Sequence, residues 1–405
     1  MDRRTGGWPG SDTNRENNLT IVHIITRMIV GGAQENTLLT CLGLRQLGHR
    51  VILFTGPSRG PEGSLVPKFI QTGCEIREIP TLVRNPNPRA EWQAYQTMKR
   101  DLMAIRPDVV HTHSSKAGIL GRLAAWRLDV PAVVHTVHGL PFHPYQNPAF
   151  NQAWIMLERY AARRCHKIVC VAEAMRMQAL AAGVGRPAQY SIIHSGMEID
   201  QYIHPQATRQ TARQRLGIGP DALVIGTVAR LQPLKGHDDL LKIAEELFQR
   251  HNRVHFLWVG DGIYKQRFLR TIDQRGWQGR FTLTGLVRPD EVADILPAMD
   301  ILAHPSYREG LPRAVVQGML ARLPTVVFNC DGAAEVCRPG QTGILVEPGN
   351  ARDLLAALSE MADDSLRREK FGLAGNRLAA DLFDYRKMVR QLDLLYGKVH
   401  EEYEK

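Results

Sequence analysis

At 405 residues the chain is long enough for two domains of ordinary size. Its hydrophobic share of 44% and charged share of 23% are those of a globular protein, and no uninterrupted apolar run approaches the ~20 residues a membrane-spanning helix needs. The six cysteines, at 41, 74, 165, 170, 330 and 337, form no CxxC pair and no zinc-finger spacing, so free thiols in a reducing compartment are expected.

The formal charge of +10 is uneven. Residues 1–200 carry 23 Lys and Arg against 15 Asp and Glu, whereas residues 201–405 carry 28 against 26. A basic first half suits an anionic partner, although a mildly basic surface is also a plain solubility feature. Residues 1–18 are polar and Gly-rich with no apolar stretch, so a disordered lead-in rather than a signal peptide is expected, with cytoplasmic residence.

The apolar run 19–25 predicts a buried strand, followed by a turn on Gly31-Gly32 and a helix over 33–47. Strands near 50–55, 75–79, 109–112, 132–136, 167–171 and 190–193 then alternate with helical spacing at 65–71, 91–104, 117–127, 150–164 and 174–182. The rhythm breaks over 195–219, which reads as a linker. A second series follows, with strands at 223–229, 255–259, 281–284, 301–303 and 325–328 and helices between them. Pro312, with its fixed φ, is expected to open a helix running to about Ala321. Short apolar strands alternating with helices predict α/β halves with parallel sheets covered on both faces. The domains are expected at 19–205 and 206–385, with 386–405 as a returning helix. In such folds ligands bind beyond the strand C-termini.

Chemistry-bearing residues collect at those ends. Arg230 and Lys235 flank a strand-end loop and suit a diphosphate, though alone they read more readily as solvated cations. Gly31 and Gly32 allow a ligand close to backbone at a helix N-terminus, or form an ordinary turn. Glu309, Gly310 and Leu311 precede the Pro312 helix, where free amides favour a negatively polarised ligand. Gln317 lies more than a turn inside it. His138, before Gly139, ends a strand and is placed to meet a substrate. His111 and His113 share a strand face, but no carboxylate or Cys completes a recognisable metal set. Glu335 follows the Asp331-Gly332 turn and is placed to accept from a ligand hydroxyl. There is no G-x-G-x-x-G after the first strand and no P-loop motif. The basic residues are not interleaved with aromatics, so nucleic acid is not expected as a partner.

The joint occurrence of these loops resembles glycosyltransferase family 4 (glycosyl transferases group 1), over residues 19–400. The motifs are GGA (31–33), HTVHG (135–139), HSGME (194–198), ARLQPLKG (229–236), VGDG (259–262), TGLV (284–287), SYREGLP (306–312) and DGAAEV (331–336). The resemblance implies the GT-B fold: two Rossmann-like, doubly wound domains facing a central cleft, with the last helix returning to the first domain. It implies a retaining hexosyltransferase that uses a nucleotide-diphosphate sugar. Arg230 and Lys235 would hold the diphosphate, supported by the Gly31 and Gly32 amides. Glu309, with Gly310 and Leu311, would hold the sugar, Leu286 would lie by the base, and His138 by the transferred sugar. Where family members carry a second Glu on the ribose, this chain has Gln317, which keeps an acceptor and adds a donor. No metal is expected, since the cations can take its task. The implied acceptor is a saccharide or polyprenyl-linked sugar of cell-envelope or exopolysaccharide biosynthesis, with possible contact to an anionic membrane. A non-catalytic nucleotide-sugar-binding subunit, or an epimerase or hydrolase on the same fold, are the alternatives.

Overall fold

A computed structural model describes residues 18–58 and 63–404; the lead-in expected at 1–18 lies, but for Asn18, outside the described residues. The first half builds a seven-stranded sheet in the order β3-β2-β1-β4-β5-β6-β7. Its strands are β1 (Thr20–Arg27), β2 (Arg50–Gly56), β3 (Glu75–Glu78), β4 (Val109–His113), β5 (Ala132–Val137), β6 (Lys167–Cys170) and β7 (Tyr190–Ile192). A six-stranded sheet follows in the second half, in the order β10-β9-β8-β11-β12-β13. These are β8 (Leu223–Val228), β9 (Val254–Val259), β10 (Phe281–Leu283), β11 (Ile301–His304), β12 (Thr325–Phe328) and β13 (Gly343–Val346).

Every pair in both sheets is parallel. That follows from the sequence pattern: both faces of each sheet lie under helices, so the strands read as continuous apolar runs instead of alternating. In each half the strand order reverses beside the first strand, between β1 and β4 and between β8 and β11. Such a reversal splays the flanking loops apart and leaves a crevice at the strand C-termini. The protein has the GT-B arrangement, with two such crevices facing one another.

The segment 195–219 is not structureless, since it carries short helices at Asp200–Ile203 and Arg209–Leu216. The chain also crosses back. Met197 makes two backbone hydrogen bonds at this crossing, its amide donating to the Phe383 carbonyl and its carbonyl accepting from the Tyr385 amide. The last helix, Tyr385–Glu404, then lies on the first half. Its Met388, Val389, Leu392 and Tyr396 are buried in the same core as Leu38 and Leu44 of the Gly32–Gln46 helix. Among the described residues no helix is long and apolar enough to cross a membrane.

Leu392 is a direct probe of that docking. Leu392→Ala should cost about 2–5 kcal/mol, as buried Leu truncations do, and lower the urea midpoint. An unchanged midpoint would show that the returning helix does not share the core.

Candidate active site

The site begins with strand ends that aim loops into the crevice. β8 ends at Val228 and releases Arg230. Lys235 follows Leu234, which is held at φ 65, a strained conformation for a branched residue. The Leu234 carbonyl accepts from the Tyr307 amide at 2.9 Å and the Ser306 hydroxyl at 3.2 Å, so the loop after β11 fixes the loop after β8. Gly236 completes the lock: at φ 73, any Cβ there would lie 1.8 Å from the Pro305 carbonyl oxygen.

Glu309 sits where these loops meet. Its Oε1 accepts from Lys235 Nζ at 2.5 Å and from His304 Nε2 at 3.0 Å, while its amide donates to Asp331 Oδ2 at 2.8 Å. Burial alone would push the Glu309 carboxyl up, but the Lys235 charge and the His304 hydrogen bond outweigh it and hold it well below the usual carboxylate range. Glu309 is therefore an anion at any working pH. Arg230 differs, being exposed with no side-chain partner among the described residues.

One cavity of about 610 Å³ between the halves is lined by Gly31, Gly32, His138, Arg230, Lys235, Leu286, Glu309, Gly310, Leu311 and Gln317. The structure thus brings together ten of the eleven residues expected from sequence. As the cap and the first residue of the Gly32–Gln46 helix, Gly31 and Gly32 have no carbonyl a turn behind to occupy their amides. Leu286 is 60% exposed and lies on the cavity wall. Gln317 is engaged, its Nε2 donating to the Tyr202 hydroxyl at 2.9 Å. Pro312 sits at the cap position of the Arg313–Leu320 helix, one residue earlier than a first helical residue.

The eleventh residue is a correction. Glu335 does not face the cavity; its two carboxylate oxygens accept from the amides of Glu173 and Ala174 at 2.8 and 2.9 Å. It caps the Glu173–Ala181 helix of the opposite half, where free amides and the dipole favour a carboxylate. A sequence cannot show that a turn in one half meets a helix start in the other.

Two functional positions escaped the sequence reading. Arg313 donates to Glu35 Oε2, Ser195 Oγ and the Gly196 carbonyl, each at 2.9 Å, and so ties the second half to the first. Asp331 holds the Glu309 amide through one oxygen, and its other oxygen accepts from Gln178 Nε2 at 2.8 Å. Neither carries a local signal beyond an Arg on a helix and an Asp in a turn. Where Gly310 crosses the crevice, a Cβ would lie 1.9 Å from the His138 carbonyl oxygen.

The comparisons with known proteins agree with this geometry. Residues 30–201 match the family described as Glycosyltransferase Family 4, and residues 208–377 match Glycosyl transferases group 1. A UDP-Gal:alpha-D-GlcNAc-diphosphoundecaprenol alpha-1,3-galactosyltransferase of Escherichia coli is 28% identical over 292 residues, covering 71% of this chain and 75% of that protein. A D-inositol 3-phosphate glycosyltransferase of Rhodococcus opacus (strain B4) is 29% identical over 276 residues, or 64% of this chain, which spans only 60% of that relative's length. The crystal structure of Anabaena HepE in complex with UDP superposes with a TM-score of 0.80 at 21% identity, over 94% of this chain and 100% of that one. The chain belongs to glycosyltransferase family 4, and it is an enzyme of the transferase class.

The Gly310 crossing generates a test. Gly310→Ala keeps an allowed backbone but forces the His138 carbonyl away, so kcat/KM should fall by ~10²-fold or more with unchanged far-UV circular dichroism. Normal turnover would mean that this contact does not hold the working geometry.

Proposed function

We propose that the chain transfers a hexosyl group, with retained anomeric configuration, from a nucleotide-diphosphate sugar to a saccharide or lipid-linked acceptor in cell-envelope or exopolysaccharide biosynthesis. The observation that carries this reading is that Arg230, Lys235 and Glu309 line one cavity opposite the Gly31 and Gly32 amides. Cations and free amides suit a diphosphate, and a permanently ionised carboxylate suits sugar hydroxyls.

In this reading the acceptor oxygen forms its bond to the anomeric carbon as the sugar–phosphate bond breaks, on the same face. The acceptor proton passes to the departing phosphate. Arg230 and Lys235 stabilise the charge on that phosphate, a task a metal often performs, and no metal is assigned to the site. Gln317 offers the ribose its free Oε1. The Tyr202 hydroxyl that now accepts from Gln317 could equally donate to a carboxylate, so the departure from the family's Glu is tolerated locally.

The acceptor is assigned to a second cavity of about 340 Å³, lined mainly by the first half through Ser115, His135, His138, Leu140 and the buried Arg122–Glu158 ion pair, with Arg308 from the second half. It meets the donor side at His138. A membrane contact is assigned to the Pro148–Ala162 helix. Its exposed Phe150, Met156, Leu157 and Tyr160 adjoin Arg163 and Arg164. That combination suits an anionic lipid surface, on the cytoplasmic side if the donor is a soluble nucleotide sugar. Of the basic residues near this helix, Arg159, Arg164 and Lys167 donate to the carbonyls of Ala182, Tyr160 and Ala188, which leaves Arg163 as the exposed one without such a contact among the described residues. The E. coli relative's lipid-linked acceptor supports the same assignment.

A panel of nucleotide sugars, read first by thermal stabilisation and then by acceptor-dependent release of nucleoside diphosphate, tests the reaction. Release without acceptor would indicate a hydrolase, and binding without any release a non-catalytic subunit. Arg230→Ala and Lys235→Ala should each lower turnover by ~10²-fold or more, the usual effect of removing a transition-state charge stabiliser. Near-normal turnover in both would remove the phosphate assignment. Gln317→Glu should lower the donor KM modestly and leave kcat nearly unchanged; an otherwise silent protein switched on by it would instead favour the non-catalytic reading.

A further inference from the structure

Behind His138 the first half hides a row of histidines that the transfer reaction does not account for. His138 Nε2 lies 3.1 Å from His113 Nδ1, and His113 Nε2 lies 2.9 Å from His23 Nδ1. His113 is at the end of β4, and His23 is in the middle of β1, inside an otherwise apolar run. His23 is fully buried and His113 nearly so, at 0% and 1% exposure. The far nitrogen of the row, His23 Nε2, has no hydrogen-bond partner.

His23, His111 and His113 stand close enough to suggest a metal site. Their bonding argues otherwise. His111 is already engaged on both nitrogens, by the Tyr396 hydroxyl at 2.5 Å and Thr136 Oγ1 at 2.7 Å. Both His113 nitrogens face other histidines, so an ion would have to break most of the network. Only one nitrogen of the three residues is free.

A neutral imidazole has one N–H and one lone pair, so a row joined nitrogen to nitrogen can run in only two directions. If the hydrogens point inward, the row ends in a buried N–H on His23 Nε2 with nothing to accept it. If they point outward, His23 Nδ1–H donates to His113 Nε2 and His113 Nδ1–H donates to His138 Nε2. Only a lone pair is then left unpaired inside. Buried N–H groups without an acceptor are the rarer defect.

We propose that His23 and His113 are positioning residues that fix His138 as the tautomer protonated on Nδ1, so that it offers a hydrogen-bond donor to the cleft and no basic nitrogen. The row works only while its members are neutral, since a histidinium would set N–H against N–H. Burial, assisted for His138 by the charge of Arg313, lowers His138 to about 3, and burial lowers His23 to about 3. Burial and the neighbouring histidines hold His113 well below its ordinary value too. The charged and titratable groups around His138 include Arg313 from the second half, His135 on β5, His111 and His113 on β4, His143 on the following loop, Arg27 and Arg84 on the first half's side of the cavity, and Arg230, Lys235, Arg308, Glu309 and Asp331 across the crevice. What the donated hydrogen meets, a hydroxyl of the transferred sugar, rests on the proposed reaction; the tautomer does not.

Nitrogen-15 NMR of histidine-labelled full-length protein without ligand separates the two. His138, assigned by comparison with His138→Asn, should show a protonated Nδ1 and an unprotonated Nε2 from about pH 5 to 8. A protonated Nε2, a titration near the free-histidine value of ~6.5, or zinc bound stoichiometrically at His23 and His113 would each overturn the proposal. In His113→Phe, which fills the space but breaks the row, burial and Arg313 still keep His138 neutral, but its tautomer is no longer fixed, so a substantial Nε2-protonated population should appear in the nitrogen-15 spectrum. A lower kcat with the His138 spectrum unchanged would reduce His113 to packing. Should His113→Phe not fold, the spectrum of the unsubstituted chain still decides. Should the protein prove inactive on every nucleotide sugar, the tautomer result stands apart from that failure.

Discussion

The contact between Lys235 and Glu309 sets the terms for the rest of the crevice. A lysine on the loop proposed for the diphosphate is paired, at 2.5 Å, with the carboxylate of the loop proposed for the sugar. The pair is only partly exposed, so the attraction is stronger than on an open surface, and desolvation is offset by the second donor, His304. Two loops from different strands are thereby held at a fixed separation. The left-handed Leu234 and the close seat of Gly236 on Pro305 are the backbone cost of that arrangement. Arg230 has no side-chain partner among the described residues, so its charge would be fully available to the proposed phosphate.

Joining the halves asks for contacts of a different kind. Across the crevice the chain uses charge and backbone: Arg313 to Glu35 and the 195–196 segment, Glu335 to the start of the Glu173–Ala181 helix, and Gly310 against His138. These contacts lie beside a buried apolar cluster that includes Val171, Ala172 and Met175 of the first half and Leu311, Val315 and Ala333 of the second; the polar part of the seam parts more readily, which suits a cleft that must admit substrates. The returning Tyr385–Glu404 helix does the opposite. It adds apolar side chains to the first half's core, so the chain is tied at its far end while the mouth of the crevice is held by polar contacts.

Much of this was legible in the sequence because parallel strands under helices leave short apolar runs, and Gly or Pro marks their ends. Those ends carry Arg230, Lys235, Glu309 and His138, and a doubly wound sheet puts all strand ends on one rim. What escaped depended on the meeting of the two halves. Glu335 has the look of a ligand contact until the amides of Glu173 and Ala174 are found opposite it. Arg313 and Asp331 gain their meaning from partners far away in the chain. The pairing of His23 with His111 follows from β1 lying next to β4, a crossover that local patterning does not fix. A signal was nonetheless present, since a histidine in the middle of an apolar strand is an oddity that calls for a buried partner.

The two banks of the crevice differ in charge for a reason that follows from the proposed reaction. As the sugar–phosphate bond breaks, negative charge gathers on the phosphate and positive charge on the sugar ring, a few ångströms apart. A cation that helps the first would oppose the second if it sat beside the ring. The fixed charges are distributed accordingly. Arg230 and Lys235 belong to the loop after β8, whereas His138, just past the end of β5, is kept neutral by burial and hydrogen-bonded to His113 behind it. Arg313 lies close enough to lower His138 further, yet its own charge is met by Glu35 at 2.9 Å. Burial supplies the neutrality, but a lone imidazole would still leave open which of its nitrogens carries the hydrogen. The buried row removes that freedom, which gives a structural reason for three histidines in a region where packing alone would call for apolar side chains.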